Sequence, residues 1–179
     1  MKKRTTGETM NDLSVTTLNE TGVPLSAVMG GKPAVLLVSR YAGCPLCQVS
    51  IAKYRNKYEE IKAKGGELIV VLQSTPESVK NQLGEENLPF PVICDPEKKV
   101  YEELGVEKAK NTRKLVGSLK TLPEAAYMVT HGFKHGEYEG EELQLPAVFV
   151  VKPDLRLTFA HYGKSVADVP DADAVIKQL

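Results

Sequence analysis

Apolar and polar residues alternate along this chain in blocks, most regularly from Lys32 onward. Short, continuous apolar runs are separated by longer segments in which apolar residues recur every three or four positions. The short runs are typical of strands buried on both faces of a sheet, and the longer segments are typical of amphipathic helices. The predicted strands cover 34–39, 67–73, 91–94, 147–151 and 156–161, and the predicted helices cover 45–63, 76–83 and 97–104.

Proline residues and turns support these boundaries. Pro45, Pro76 and Pro96 each fit the first position of a helix, where a backbone N–H would have no partner anyway. A turn over 152–155 joins the last two strands as an antiparallel hairpin, and a helix over 172–179 follows it. The sequence therefore predicts an α/β fold with a central mixed sheet flanked by helices.

Three segments lie outside this alternation. Residues 1–10 are polar, and we predict a disordered tail followed by a single domain over 11–179. Residues 12–17 open the domain as an N-terminal extension, in an edge strand or hairpin. Residues 106–142 insert a basic helical stretch over 108–120, a second helix after Pro123 and an acidic loop. We interpret this insertion as a lid or a surface elaboration.

Charge and composition narrow the classes of partner. The chain has 179 residues, and its 23 Lys and Arg balance its 23 Asp and Glu, so no net field attracts nucleic acid or anionic lipid. The basic start has no apolar segment behind it, as a secretory signal would, and no apolar run approaches the roughly 20 residues of a membrane helix. We predict a cytoplasmic protein whose three cysteines serve redox or metal chemistry.

The most informative feature is the pair Cys44 and Cys47, which stands where the strand over 34–39 gives way to the helix over 45–63. A helix start offers unpaired N–H groups and the positive end of the macrodipole, so a cysteine ionises more easily there, and the thiolate is the reactive form. Cysteines three positions apart can close a small disulfide. The pair therefore predicts cycling between dithiol and disulfide.

The two cysteines are expected to face different surroundings. The helix carries a narrow apolar stripe at intervals of four, three, four and three residues: Cys47, Ile51, Tyr54, Tyr58 and Ile61. The stripe predicts that Cys47 points toward the sheet. Cys44, at or before the N-cap, is predicted to face solvent.

Other interpretations of the cysteines stay open. His131 and His135 form an H-x3-H pair that could complete a zinc site with Cys44 and Cys47, although over eighty residues separate the two pairs. The cysteines could also be incidental buried thiols. Cys94 is interpreted as a small buried hydrophobe or as a resolving thiol. We favour redox use and assign no metal site.

Four stretches of the sequence resemble a known family. They are GGKPAVLLV at 30–38, GCPLC at 43–47, FPVICDP at 90–96 running into LGV at 104–106, and LQLPAVFVV at 143–151. Together they resemble the thioredoxin superfamily, and within it the alkyl hydroperoxide reductase/thiol-specific antioxidant branch of peroxiredoxin-like proteins. The resemblance implies a thioredoxin-like fold, and a thiol-dependent antioxidant oxidoreductase that reduces peroxides or disulfides.

The sequence departs from the family pattern at two places. The family holds a threonine three positions before its attacking cysteine, and Tyr41 or Cys44 stands there instead, depending on which cysteine attacks. The arginine expected before the late strand is replaced by the Leu145-Pro146 step. Pro146 resembles the cis-proline of thioredoxins, whose backbone pairs with an extended substrate. A thioredoxin-like disulfide reductase without peroxidase activity is therefore the main alternative.

We predict an enzyme in which Cys44 is the nucleophile and Cys47 resolves, with the reverse order left open. The predicted substrate contacts are Tyr41, Gly43, Pro45 and Pro146. The expected partners are a hydroperoxide or disulfide substrate and a thiol reductant such as a thioredoxin-like donor, with no cofactor, nucleic acid or membrane. Family members often pair, so the resemblance implies a homodimer. A non-enzymatic module that holds a metal or binds a partner is the third alternative.

Overall fold

The fold is built from seven strands and eight α-helices in the part of the chain that the structure describes. That structure is a computed structural model, and it describes residues 2–117 and 121–179. In chain order the elements are β1 (Ser14–Thr16), β2 (Thr21–Pro24), α1 (Leu25–Met29), β3 (Ala34–Val38), α2 (Pro45–Asn56), α3 (Tyr58–Ala63), β4 (Glu67–Leu72), α4 (Pro76–Leu83), β5 (Val92–Cys94), α5 (Lys99–Leu104), α6 (Thr112–Val116), α7 (Thr121–Thr130), β6 (Ala147–Val151), β7 (Leu157–Tyr162) and α8 (Ala172–Ile176).

The central sheet has the strand order β5-β4-β3-β6-β7. Strands β3, β4 and β5 are parallel, whereas β6 and β7 run antiparallel to their neighbours. The predicted mixed sheet and the predicted final hairpin are therefore confirmed. The carboxyl ends of β3 and β4 lie side by side at one edge of the sheet, which is where parallel α/β sheets place their functional loops.

Both faces of the sheet are covered, which explains why its strands read as continuous apolar runs. On one face Val35 and Leu37 pack in a cluster that includes Tyr54 and Ile61. On the other face Leu36 and its neighbours pack in a cluster that includes residues of α1 and α5. All five residues of β3 are fully buried. This strand is therefore a fixed base for the segment that follows it.

The predicted helix over 45–63 is wrong in one respect, because it is divided into α2 and α3 at Lys57. The Lys57 N–H donates to the Tyr54 carbonyl at 3.0 Å, a tighter turn than an α-helix makes. Helix α5 also begins later than predicted, at Lys99, because the Asp95 carboxylate accepts the N–H groups of Lys99 and Val100. Both differences change where a helix begins or ends, and the apolar side chains of these helices still pack on the sheet.

The segment over 1–10, which the sequence predicts as a disordered tail, makes backbone contacts with the rest of the chain in the nine residues that the structure describes; residue 1 lies outside them. Gly7 N–H donates to the Leu157 carbonyl at 2.8 Å, and Leu157 N–H donates to the Glu8 carbonyl at 2.9 Å. Met10 is buried among core residues. The segment pairs with the outer edge of β7, where backbone groups would otherwise lack partners. The fold therefore begins before the predicted residue 11.

The N-terminal extension and the insertion complete the fold. Strands β1 and β2 form the predicted edge hairpin as a separate two-stranded sheet. The insertion contains α6 and α7, and the part of the predicted basic helix that falls on residues 118–120 lies outside the described residues. Helix α7 packs on α2 through an ion pair between Lys53 and Glu124 at 2.6 Å. Among the described residues, no helix has the length and hydrophobicity needed to cross a membrane.

Candidate active site

The two cysteines lie on a loop and helix start at the carboxyl end of β3. Pro45 occupies the first turn of α2, and Cys44 is its N-cap with an extended backbone (φ −77°, ψ 113°). The Cys44 Sγ accepts a hydrogen bond from the Cys47 N–H at 3.2 Å. The predicted position of the pair at the helix start is thus the observed one, and Cys44 takes the role that serine or aspartate plays in other N-caps.

Arg40 is the functional residue that the sequence reasoning missed. Its Nη2 lies 2.9 Å from the Cys44 Sγ, and its Nη1 donates to the Glu142 carbonyl at 2.5 Å. The guanidinium also lies over the Tyr41 ring, 5.2 Å from the ring centroid. One signal in the sequence could have found it: a cation stands directly after a fully apolar strand and four residues before the first cysteine.

The pKa values of the two thiols are shifted in opposite directions. Burial by itself would raise the pKa of Cys44, but the hydrogen bond with Cys47 and the charge of Arg40 outweigh burial and lower the pKa from 9.0 to about 6. The pKa of Cys47 is raised, first by burial and then by its hydrogen bond with Cys44 and the charge there. At neutral pH Cys44 is therefore mainly a thiolate, and Cys47 stays a thiol that can donate to it.

The prediction that Cys44 faces solvent is wrong, because the residue is 0% exposed. Both cysteines belong to a small apolar cluster whose other buried members are Tyr41, Ala109, Leu115 and Val166. Leu115 comes from α6 and Val166 from the segment after β7, so parts of the chain far from the cysteines close over them. Cys47 is also buried, but it packs in this cluster, whereas the other four residues of its helix stripe pack in the cluster on the sheet; the predicted direction of Cys47 toward the sheet is therefore not the observed one.

The last part of the insertion, residues 135–142, crosses over the cysteine loop, and we call it the strap. Its Gly136 N–H donates to the Gly43 carbonyl at 2.9 Å, and its Glu139 carboxylate accepts from the Ser74 hydroxyl at 2.6 Å. A β-carbon on Gly43 would overlap the backbone of Glu137. The close approach of the strap therefore requires a glycine at position 43, and of the two predicted roles for the insertion, the lid fits these contacts.

Tyr41 links the cysteine loop to the strap. Its hydroxyl lies 3.2 Å from the His135 Nε2, and the His135 ring stacks on Tyr138 with centroids 4.0 Å apart. Burial raises the pKa of Tyr41 to about 12, so its hydroxyl is protonated at neutral pH. The structure thus places Tyr41 and Gly43 beside the cysteines but beneath the strap.

Pro146 differs from the expectation. No peptide bond is cis in the part of the chain that the structure describes, so the cis-proline interpretation is wrong. The Pro146 carbonyl accepts from the Gly163 N–H at 2.8 Å, at the start of β6. Its neighbour Leu145 packs against the cluster that contains both cysteines. A trans proline at the first position of a strand serves strand entry, where its missing N–H is harmless.

The histidine pair does not converge on the cysteines as a zinc site would. The His131 ring stacks on Tyr127 with centroids 3.7 Å apart, while His135 contacts Tyr41. Over residues 2–117 and 121–179, no three His, Cys, Asp or Glu side chains form a group that could hold a metal ion. The zinc interpretation finds no support in this geometry.

A buried thiolate at a helix start, a cation on its sulfur and a second thiol one turn later form a site for thiol redox chemistry. A family model matches residues 6–160, and it is described as the AhpC/TSA family. The chain belongs to the AhpC/TSA family. As a member it is a thiol-dependent antioxidant oxidoreductase, as the sequence predicted. No match was found among curated proteins.

Solved structures show the same fold at low sequence identity. The chain is similar to peroxidoxin BcpB from Mycobacterium tuberculosis, with 15% identity, 97% of this chain and 94% of that chain covered, and a TM-score of 0.69. It is also similar to a cysteine mutant of Xylella fastidiosa PrxQ, with 14% identity, 99% and 96% covered, and a TM-score of 0.70. A cysteine mutant of Arenicola marina peroxiredoxin 6 gives 15% identity, 97% and 70% covered, and a TM-score of 0.70. The predicted thioredoxin-like fold is confirmed.

Proposed function

We propose that Cys44 is the attacking cysteine of a hydroperoxide reductase and that Cys47 resolves the oxidised product. The observation that carries this assignment is the 2.9 Å contact between the Arg40 guanidinium and the Cys44 Sγ. A fixed, buried cation stabilises a thiolate at that sulfur; Arg40 also lowers the pKa of Cys47, but there burial and the hydrogen bond with Cys44 outweigh it, so Cys44 is the sulfur that ionises first.

The reaction uses two sulfur atoms in sequence. The Cys44 thiolate attacks the terminal oxygen of a hydroperoxide, an S–O bond forms and the O–O bond breaks, and the leaving alkoxide takes a proton to become an alcohol. The Cys47 thiol then attacks the sulfenic sulfur, an S–S bond forms and water leaves. A dithiol donor of the thioredoxin kind returns the pair to the reduced state by thiol–disulfide exchange.

Access to Cys44 requires the strap to move, since the sulfur is buried beneath it. The strap is held by hydrogen bonds to the loop and to α4 rather than by a large apolar contact, and such segments open at a low free energy. Lifting it exposes Tyr41 and Gly43, which we retain as substrate contacts together with Pro45. Pro146 remains a predicted contact at the edge of the same cluster.

We also propose where the protein is located and how it assembles. Three free cysteines, two of them in a C-x-x-C pair, suit the reducing conditions of the cytoplasm, and we propose that location. Exposed apolar residues on α7, Leu122 and Val129, offer a surface on which two copies could pair as a homodimer. Sedimentation of the wild-type protein and of a Leu122→Asp variant tests that pairing.

Stopped-flow oxidation of the reduced protein tests the function and the order of the cysteines. Hydrogen peroxide is compared with a small model disulfide. We expect Cys44→Ser to abolish oxidation, and Cys47→Ser to keep the first step but leave a sulfenic acid that dimedone captures. Cys94→Ser is the matched control and should behave as the wild type. A faster reaction with the disulfide favours the reductase alternative. If Cys47→Ser abolishes oxidation and Cys44→Ser leaves a sulfenic acid, Cys47 is the attacking cysteine and Cys44 resolves.

A further inference from the structure

Two buried hydrogen-bond donors just past the carboxyl ends of β3 and β4 have no acceptor within the described part of the chain. They are the Nε of Arg40 and the Nε2 of Gln73, on side chains of residues that are 9% and 2% exposed. A buried donor without a partner destabilises a protein, so such groups are uncommon unless they meet a ligand. One of these donors belongs to the residue that contacts the Cys44 Sγ, so the pair calls for an explanation.

The topology brings these donors together. Arg40 follows β3 and Gln73 follows β4, and the Gln73 N–H donates to the Arg40 carbonyl at 2.8 Å, so the parallel pairing continues past the strand ends. Residues paired in this way direct their side chains to the same face. Both side chains also reach consecutive strap positions, Gln73 at Glu141 and Arg40 at Glu142.

The hydrogen bonds fix which atoms are left over. The Gln73 Oε1 accepts from the Glu141 N–H at 2.8 Å, and this contact orients the carboxamide so that its NH₂ group is the unpaired end. Arg40 uses Nη1 on the Glu142 carbonyl and Nη2 on the Cys44 Sγ, which leaves Nε–H. The guanidinium is planar, so one residue holds the sulfur and presents a further donor beside it.

We propose that, once the strap has closed again over a hydroperoxide at Cys44, Gln73 Nε2–H joins the Arg40 Nε–H in binding the oxygen atoms of that hydroperoxide. This assignment rests on the proposed function and adds Gln73 to it as a catalytic residue. As the Cys44 thiolate forms the S–O bond and the O–O bond breaks, negative charge develops on the leaving oxygen, and donors fixed in advance stabilise that charge before the oxygen takes its proton.

The same donors give the site a preference between its two candidate substrates. Oxygen is a strong hydrogen-bond acceptor, whereas the sulfur atoms of a disulfide are weak acceptors. A disulfide substrate would therefore leave both donors unpaired in the buried site, and a site built to bond a polar atom discriminates against a substrate that lacks it. Gln73 should accelerate the peroxide reaction and have little effect on disulfide exchange.

The test compares Gln73→Met with Gln82→Met by stopped-flow. Gln82 also holds the strap, since its Oε1 accepts from the Glu137 N–H at 2.8 Å, but its carboxamide donates to Ser78 and Glu139. Loosening of the strap should affect both variants alike. We expect Gln73→Met to react with hydrogen peroxide at least about tenfold more slowly than Gln82→Met, while its alkylation by iodoacetamide and its reaction with a model disulfide stay within about twofold of the rates of Gln82→Met.

A second variant at the same position controls for the possibility that Gln73→Met does not fold. Gln73→Glu keeps an oxygen for the Glu141 N–H and removes the donor, and its rate is compared after the pH midpoint of Cys44 alkylation has been measured. An unchanged peroxide rate in both Gln73 variants, or an equal loss in Gln82→Met, would overturn the proposal. If the wild type itself ignores hydrogen peroxide, the proposed function fails instead, and the two failures are distinct.

Discussion

Cys44 and Cys94 are both buried, at 0% and 3% exposure, yet their surroundings give them opposite chemistry. Burial, and after it the charge of Glu139, raises the pKa of Cys94 to about 12, in a site on β5 among apolar side chains. At Cys44 burial acts in the same direction, but the hydrogen bond with the Cys47 thiol, the charge of Arg40 and the helix-start N–H outweigh it and lower the pKa to about 6.

The comparison shows that burial does not by itself make a cysteine inert. Removing water penalises an unpaired charge, but it also strengthens the interaction of a thiolate with a nearby cation. What distinguishes the two sites is whether a partner charge is buried with the sulfur. Three sets of variants change, in turn, the partner charge at Cys44, the strap that covers it and the apolar site of Cys94.

Removal of the partner charge should have the largest effect. In Arg40→Leu, burial remains without the cation, so we expect the pKa of Cys44 to rise to at least its ordinary value near 9. The thiolate is the reactive form and dominates above the pKa. Alkylation should therefore show a midpoint near pH 6 in the wild type and about three pH units higher in the variant, with a rate at pH 7 about a hundredfold lower.

Iodoacetamide alkylation across pH 5–10 measures this shift. Arg55→Leu is the matched control. Arg55 lies on α2, the helix that begins after Cys44, but its guanidinium contacts the Asn87 carbonyl at the surface. Arg40→Lys should fall between wild type and Arg40→Leu, since it keeps a charge but loses the planar fork. An Arg40→Leu midpoint that stays near pH 6 would mean that the helix start alone ionises Cys44.

Displacement of the strap should have a smaller effect, in the opposite direction. The methyl group of Gly43→Ala overlaps the backbone of Glu137, so the closed position of the strap is destabilised by about 1 kcal/mol or more and Cys44 is exposed more often. We expect a bulky aromatic disulfide to react about fivefold faster at pH 8. Glu137→Ala, which keeps the backbone, is the control; equal rates in all three proteins would contradict a covering role for the strap.

The smallest effect is expected at Cys94, the buried thiol with a raised pKa. Cys94→Ala removes one sulfur atom from the core cluster, which should lower the free energy of unfolding by about 1 kcal/mol and leave the peroxide rate unchanged. Urea unfolding and stopped-flow measure the two quantities. A loss of peroxide turnover in this variant would instead make Cys94 a resolving thiol, the alternative that the sequence left open.

The sequence predicted the scaffold well where the signal is local. Apolar runs bounded by prolines located β3, β4 and the final hairpin, and the C-x-x-C spacing placed both cysteines at a helix start, because these features depend on neighbours within one element. The helix break at Lys57 and the ordered N-terminal segment were missed. The N-terminal segment depends on contacts with distant residues, because it pairs with the free edge of β7.

What the sequence alone determined is the type of chemistry: a pair of thiols at a helix start, on a mixed sheet whose strands are apolar throughout. Only the tertiary structure decided which sulfur is ionised, that it is covered, and which donors surround it. Arg40, Gln73 and the strap meet at Cys44 because two parallel strands end side by side and a segment nearly a hundred residues further on folds back over them. Proximity of this kind is set by packing, and no local pattern encodes it.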